Sequence, residues 1–232
     1  MRTRRMIAGS AAAALLAAVG YVAVTWSRYG RVAQGGDEDE LLDRFMSDYD
    51  VRERHEIRVA APVEVTFASA RGLELHRSPL IRGIFRAREL LMGAAARGRS
   101  PQRPFLDEVL TLGWRILAEE PDREIVLGAA TQPWKADVVF RGMPPEEFAA
   151  FDQAGYVKII WTLAATPLGP RDSVFRTETR ARATDPESRA RFRRYWTVVS
   201  PGIRLIRRET LRLVKREAEA RPVRSAESHS GG

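Results

Sequence analysis

No cysteine occurs among the 232 residues, so disulfides, cysteine nucleophiles and thiolate metal sites are excluded. Histidine is scarce: His55, His76 and His229 are the only three, and no two stand at metal-ligand spacing, so neither a metal nor a cofactor is expected. Lysine is almost absent as well, with Lys135, Lys158 and Lys215 alone, and the basic character rests on arginine. A bias this general weakens arginine counts as a sign of phosphate binding. No Gly-x-Ser-x-Gly elbow and no glycine-rich loop before a helix is present, which removes the serine-hydrolase and nucleotide-cradle readings.

What is present suits one ordinary domain. The hydrophobic share is 44% and the charged share 29%, values of a globular chain. The net charge of +8 is unevenly placed: from Thr184 onward twelve Lys and Arg stand against six Asp and Glu, while the middle is slightly acidic. Met6 to Trp26 carries no charge and follows three arginines. At 1.5 Å per residue that run can cross a bilayer core of roughly 30 Å. Residues 1–27 are therefore expected to be a membrane anchor or signal, and Arg2, Arg4 and Arg5 favour a cytoplasmic N-terminus with an extracytoplasmic domain. Residues 28–52 are expected to form a solvated linker, 53–220 the domain, and 221–232 a disordered tail.

Within the domain, His55, Ile57 and Val59 alternate with Glu56, Arg58 and Ala60 as a strand. Ala61-Pro62 ends it and a short helix follows from Val63 to Ala70. Leu80 to Met92 is a second helix and Gly93 to Pro104 a loop. After a helical turn at Phe105 to Leu112, a hairpin runs from Trp114 to Ala118 and back from Glu124 to Thr131, with a shorter strand over Ala136 to Phe140. Pro144 to Phe151 starts a short helix, and Tyr156 to Thr166 is an apolar strand.

Asp172 to Glu219 is the unit that organises the rest. Val174, Arg176, Glu178, Arg180 and Arg182 share one face of a strand, read as the solvent face, while Phe175, Thr177, Thr179, Ala181 and Ala183 share the inner one. Asp185-Pro186-Glu187 starts a helix, Asp185 as cap. Phe192, Tyr195, Trp196 and Val199 give it an apolar stripe that must lie on a sheet. Ser200-Pro201-Gly202 is expected to kink or split that helix, with Ser200 capping the second piece.

The order strand, Ala-Pro, two helices, antiparallel strands, long final helix resembles the helix-grip fold of the START-like superfamily, which includes polyketide cyclases and lipid-transfer domains. The residues that carry the likeness are His55 to Phe67, Gly113-Trp114 with Leu117-Ala118-Glu119, Gly128 to Trp134, and Phe175 to Arg180 leading into the final helix. The resemblance implies an α+β fold with a curved antiparallel sheet around the C-terminal helix, and an apolar cavity beneath that helix.

On that reading Trp114, Ile116, Leu127, Trp134, Trp161, Phe175 and Trp196 line a ligand cavity, and Thr177 or Thr179 offers a hydrogen bond to an apolar or amphipathic small molecule such as a lipid. The alternative for each tryptophan is plain core. Two other functions stand beside ligand binding. A cyclase- or hydrolase-like enzyme needs a polar residue in the cavity, for which Glu178 is the first candidate, although its face favours an exposed ion pair. A ligand-free module could instead dock on anionic membrane through the basic helix, Arg189, Arg193, Arg194, Arg204, Arg207, Arg208, Arg212, Lys215 and Arg216. Without exposed aromatics between those arginines, nucleic acid is not expected.

Overall fold

The computed structural model describes residues 17, 19–25, 27, 29, 39–74, 78–92 and 104–221. A short helix α1 (Glu40–Asp43) leads into β1 (Val51–Val59), followed by α2 (Val63–Arg71), α3 (Pro79–Met92) and α4 (Phe105–Thr111). Strands β2 (Arg115–Glu120), β3 (Glu124–Thr131) and β4 (Phe140–Arg141) precede α5 (Pro145–Ala150). The chain closes with β5 (Val157–Gly169), β6 (Asp172–Ala183) and α6 (Pro186–Ala220).

All pairings are antiparallel, in the order β1-β6-β5-β3-β2 with β4 added to β3. This is the helix-grip arrangement: a six-stranded sheet with one long helix laid along it. Register fixes the two faces, because directly paired residues point the same way. His55, Thr177, Leu163 and Ile125 form one row across the face towards α6, and Glu53, Thr179, Trp161 and Leu127 form the next. The main core lies on this side. Phe67, Ile81, Ile125, Leu127, Trp161, Leu163, Phe175, Leu211 and Val214 are all buried there. Each such large side chain contributes roughly 1.5–3 kcal/mol.

The other face is covered too, and residues 39–50 of the expected solvated linker pack on it. Asp39 caps α1 by accepting from the Leu42 amide at 3.1 Å, and residues 39–50 lie across the outer face of the sheet. Leu42 and Met46 bury themselves with Val126, Ala130, Phe148 and Ile160. Asp50 ends this strap by accepting from the Ala183 amide at 2.8 Å. Residues 51 and 52 already belong to β1.

Glu178 and Arg180 therefore do not face solvent. Both are essentially inaccessible, at 0% and 2%. Glu178 receives Arg52 Nε at 2.8 Å, Arg52 Nη2 at 3.1 Å and Arg180 Nε at 2.8 Å. Arg180 also reaches Asp43, donates to the Met46 carbonyl at 2.9 Å and lies 5.0 Å from the Tyr49 ring. Beside it, Arg176 pairs with Asp39 at 2.5 Å. The strap supplies the carboxylates that make burial of these arginines tolerable.

Two further expectations change. The strand expected over Ala136 to Phe140 reduces to Phe140–Arg141. The C-terminal helix runs unbroken from Pro186 to Ala220 with Pro201 inside it. Ser200 does not cap a second piece; its hydroxyl is buried and shares a 2.7 Å hydrogen bond with Tyr21. At Gly202 a Cβ would stand 3.1 Å from Ile84, so this position is held by close approach of α3. The expected start of the helix is present: Asp185 accepts from the Ser188 amide at 2.9 Å and from the Gly155 amide at 2.6 Å.

Of the expected anchor, residues 19–25 are helical and lie beside α6 through Tyr21. Tyr29 meets Phe192 edge-on at 6.0 Å. Among the described residues no helix is long and apolar enough to cross a membrane. Residues 1–16 and the tail 222–232 lie outside the described residues, as does most of the loop expected at 93–104.

Candidate functional site

The largely apolar concave face carries a polar cluster near the middle of α6. The alternation of β6 puts Thr177 and Thr179 side by side on that face, and both hydroxyls accept from Arg207: Nη1 to Thr177 at 2.9 Å and Nη2 to Thr179 at 2.5 Å. The Arg207 guanidinium lies 4.7 Å from the centre of the Trp161 ring, within cation–π range. The Trp161 indole in turn donates to Thr177 at 2.6 Å. One arginine, two threonines and one tryptophan thus form a single polar cluster between sheet and helix.

Its electrostatics are unusual. Burial pulls the Arg207 proton affinity down to about 9, and only the field of Glu53 opposes this. The side chain keeps partial access to solvent. It stays protonated at neutral pH. Glu53 itself is held by Arg204, whose Nε and Nη2 donate to one oxygen at 3.0 and 2.6 Å. Arg207 has no ion pair of its own among the described residues.

His55 stands opposite Thr177 in the β1–β6 register. Its Nδ1 is buried and has no hydrogen-bond partner. Burial lowers its pKa first; Glu53 opposes this, and the charges of Arg207, Arg208 and Arg204 lower it further, so the ring is neutral at pH 7.

The residues expected to line a cavity separate into two groups. Leu127, Trp161, Phe175 and Thr177 lie on the concave face at or beside this cluster, Thr179 completes it, and Trp114 and Ile116 pack against the same core while half-buried. Phe105 meets Trp161 edge-on at 5.1 Å. Trp134 and Trp196 do not join them. They belong to a separate cluster at the other end of α6 with Phe192, Val157 and Ala183. Trp134 also lines an open cleft of about 360 Å³ with Arg191, Arg194, Tyr195, Val198 and Val199.

The candidate acid Glu178 is on the outer face, away from this interior. Burial opposes its charge, but the hydrogen bonds from Arg52 and Arg180 prevail and hold it below the usual carboxylate range. Such a group is a structural anion. Among the described residues no cluster of His, Asp and Glu could hold a metal ion.

Sequence reasoning missed Arg207 and His55. A signal for Arg207 was available, since Trp196, Ser200, Ile203, Arg207, Leu211, Val214 and Ala218 recur at intervals of three and four, placing the arginine on the buried stripe. Several other cations of the helix are neutralised nearby: Arg189 by Asp50, Arg204 by Glu53 and Lys215 by Glu219.

No protein family matches the sequence, and no curated protein does. Several solved structures show a partial likeness to this chain. A truncated norcoclaurine synthase from Thalictrum flavum is 11% identical, covering 74% of this chain and 95% of its own, at a TM-score of 0.36. A Thermobifida fusca protein is 15% identical over 72% of this chain and 92% of its own, at 0.32. CalU16 from Micromonospora echinospora is 14% identical over 73% and 84%, at 0.25. Similarity at this level does not identify a shared ligand or activity.

Proposed function

We propose that the protein binds an amphipathic small molecule between the concave face of the sheet and α6. The half-buried Trp114 and Ile116 supply the apolar wall, backed by the packed Leu127, Trp161 and Phe175, and His55, Thr177, Thr179 and Arg207 the polar one. The observation that carries this reading is the buried, unpartnered Nδ1 of His55 beside the Thr177–Arg207 cluster. A buried polar atom left without a partner costs about 1–3 kcal/mol, and a bound molecule that reaches it removes that cost. Apolar burial at about 25 cal/mol per Å² supplies most of the affinity. The mechanism of this reading is sequestration; the first carboxylate considered for acid–base work is committed to arginines on the outer face. Tethering through the charge-free run 6–26 is the second part of the proposal and rests on the sequence.

One preparation tests both parts. Full-length protein is recovered from the membrane fraction of the cells that make it, washed at alkaline pH, and examined by native mass spectrometry in mild detergent. A protein that survives the wash and carries a stoichiometric apolar adduct is the expected result. Release by the wash contradicts the tether. An empty protein that also takes up no fatty acid or aromatic compound when these are supplied contradicts the binding reading.

A further inference from the structure

Arg207 asks for something its surroundings do not provide. A guanidinium offers five N–H donors, and the two bonds to Thr177 and Thr179 use one donor on each terminal nitrogen. Both acceptors are neutral hydroxyls. The carboxylate whose field acts on it, Glu53, is bound twice by Arg204. At His55 the field of Glu53 is opposed by those of Arg207, Arg208 and Arg204. A partly buried guanidinium with no carboxylate partner is available to an incoming anion.

The threonines and the tryptophan ring hold the guanidinium in place without neutralising it. They fix its plane against Trp161, with Nε and the remaining donors on the terminal nitrogens uncommitted among the described residues. That is the geometry in which an arginine receives a two-oxygen anion. His55, with its unpartnered nitrogen one strand away, is a second polar contact for the same group when the proton is on Nδ1.

We infer that the ligand is an organic acid, whose carboxylate pairs with Arg207 inside the grip while its apolar body lies against the half-buried Trp114 and Ile116. This deepens the small-molecule reading and rests on it. Aliphatic and aromatic acids share the chemistry, so both are tested.

The full-length protein in neutral detergent is titrated calorimetrically with decanoate and 2-naphthoate, and with their neutral counterparts decanol and 2-naphthylmethanol. At least one acid is expected to bind about tenfold or more tightly than its neutral counterpart, the worth of a charge-assisted hydrogen bond to a guanidinium. In Arg207→Gln that preference is expected to vanish while the neutral compound still binds. Equal affinity for acid and neutral compound overturns the acid inference and leaves small-molecule binding standing; no binding of any of the four overturns both. A preference that persists in Arg207→Gln assigns the charge recognition elsewhere and overturns the role of Arg207. Should Arg207→Gln lose its cooperative thermal transition, Arg207→Lys decides the matter: it keeps the charge and loses the planar fork, so the preference must fall. An unchanged preference in that variant contradicts the inference.

Discussion

Glu178→Ala is expected to lower the free energy of unfolding by about 3–5 kcal/mol, as read from urea denaturation. The carboxylate is the shared acceptor of Arg52 and Arg180, and Arg180 is 2% exposed. Removing it leaves a buried guanidinium short of negative charge, a loss well above that of an exposed ion pair. The same group sets a pH dependence. Its folded pKa lies below the ordinary value, so its stabilisation is present above the unfolded value of about 4.3 and is lost as pH falls through the folded one. Wild type should therefore lose stability on acidification over that range, and the variant should show a shallower acid limb. A change under about 1 kcal/mol with an unaltered acid limb would mean that the face is wetter than its burial indicates.

A chain beginning at Val51 should lose most or all of its cooperative folding. That truncation removes Leu42 and Met46 from the outer core, together with Asp39 and Asp43, the partners of Arg176 and Arg180. The two apolar side chains account for about 1.5–3 kcal/mol each. With the ion pairs added, the loss is a large part of the 5–15 kcal/mol that keeps a typical domain folded. A chain beginning at Asp39 retains these contacts, loses the Tyr21–Ser200 bond and the Tyr29–Phe192 contact, and should still melt cooperatively, at a somewhat lower temperature than the full protein. Circular dichroism melts of the three lengths check this. Equal melting of the 39- and 51-residue starts would show that the strap is dispensable.

These two expectations also mark where the sequence stopped being legible. The alternation of β6 correctly separated Phe175, Thr177 and Thr179 from Arg176, Glu178 and Arg180, because strand periodicity is a property of the backbone alone. It could not say that both faces are covered. Asp37 to Glu40 read as a solvated acidic run, yet Asp39 and Asp43 stand one helical turn apart, as do Leu42 and Met46, and each pair meets the face that needs it. Pro201 misled in the opposite direction. Loss of one backbone hydrogen bond predicts a break in an isolated helix, but α6 is flanked on both sides of that residue by Trp196, Leu211 and Val214 in buried contacts. Arg207 was hidden by abundance, one arginine among many, although its place on the buried stripe distinguished it.

The candidate site was legible in part for the same reason. Residues on the concave strands, Leu127, Trp161, Phe175, Thr177 and Thr179, follow from register once the strands are known. Trp134 and Trp196 needed tertiary information, since they sit beyond the interior in the cluster around Phe192.

The most direct measurement of the central claim uses the tryptophans as reporters. The indole N–H of Trp161 is bonded to Thr177 inside the grip, Trp114 borders the same core, and Trp134 and Trp196 sit in the other cluster. In a ¹H–¹⁵N spectrum assigned by single Trp→Phe substitutions, decanoate should displace the Trp161 and Trp114 indole signals and leave those of Trp134 and Trp196 in place. Movement confined to Trp134 and Trp196, or no movement at all at saturating ligand, would contradict binding between the sheet and the helix.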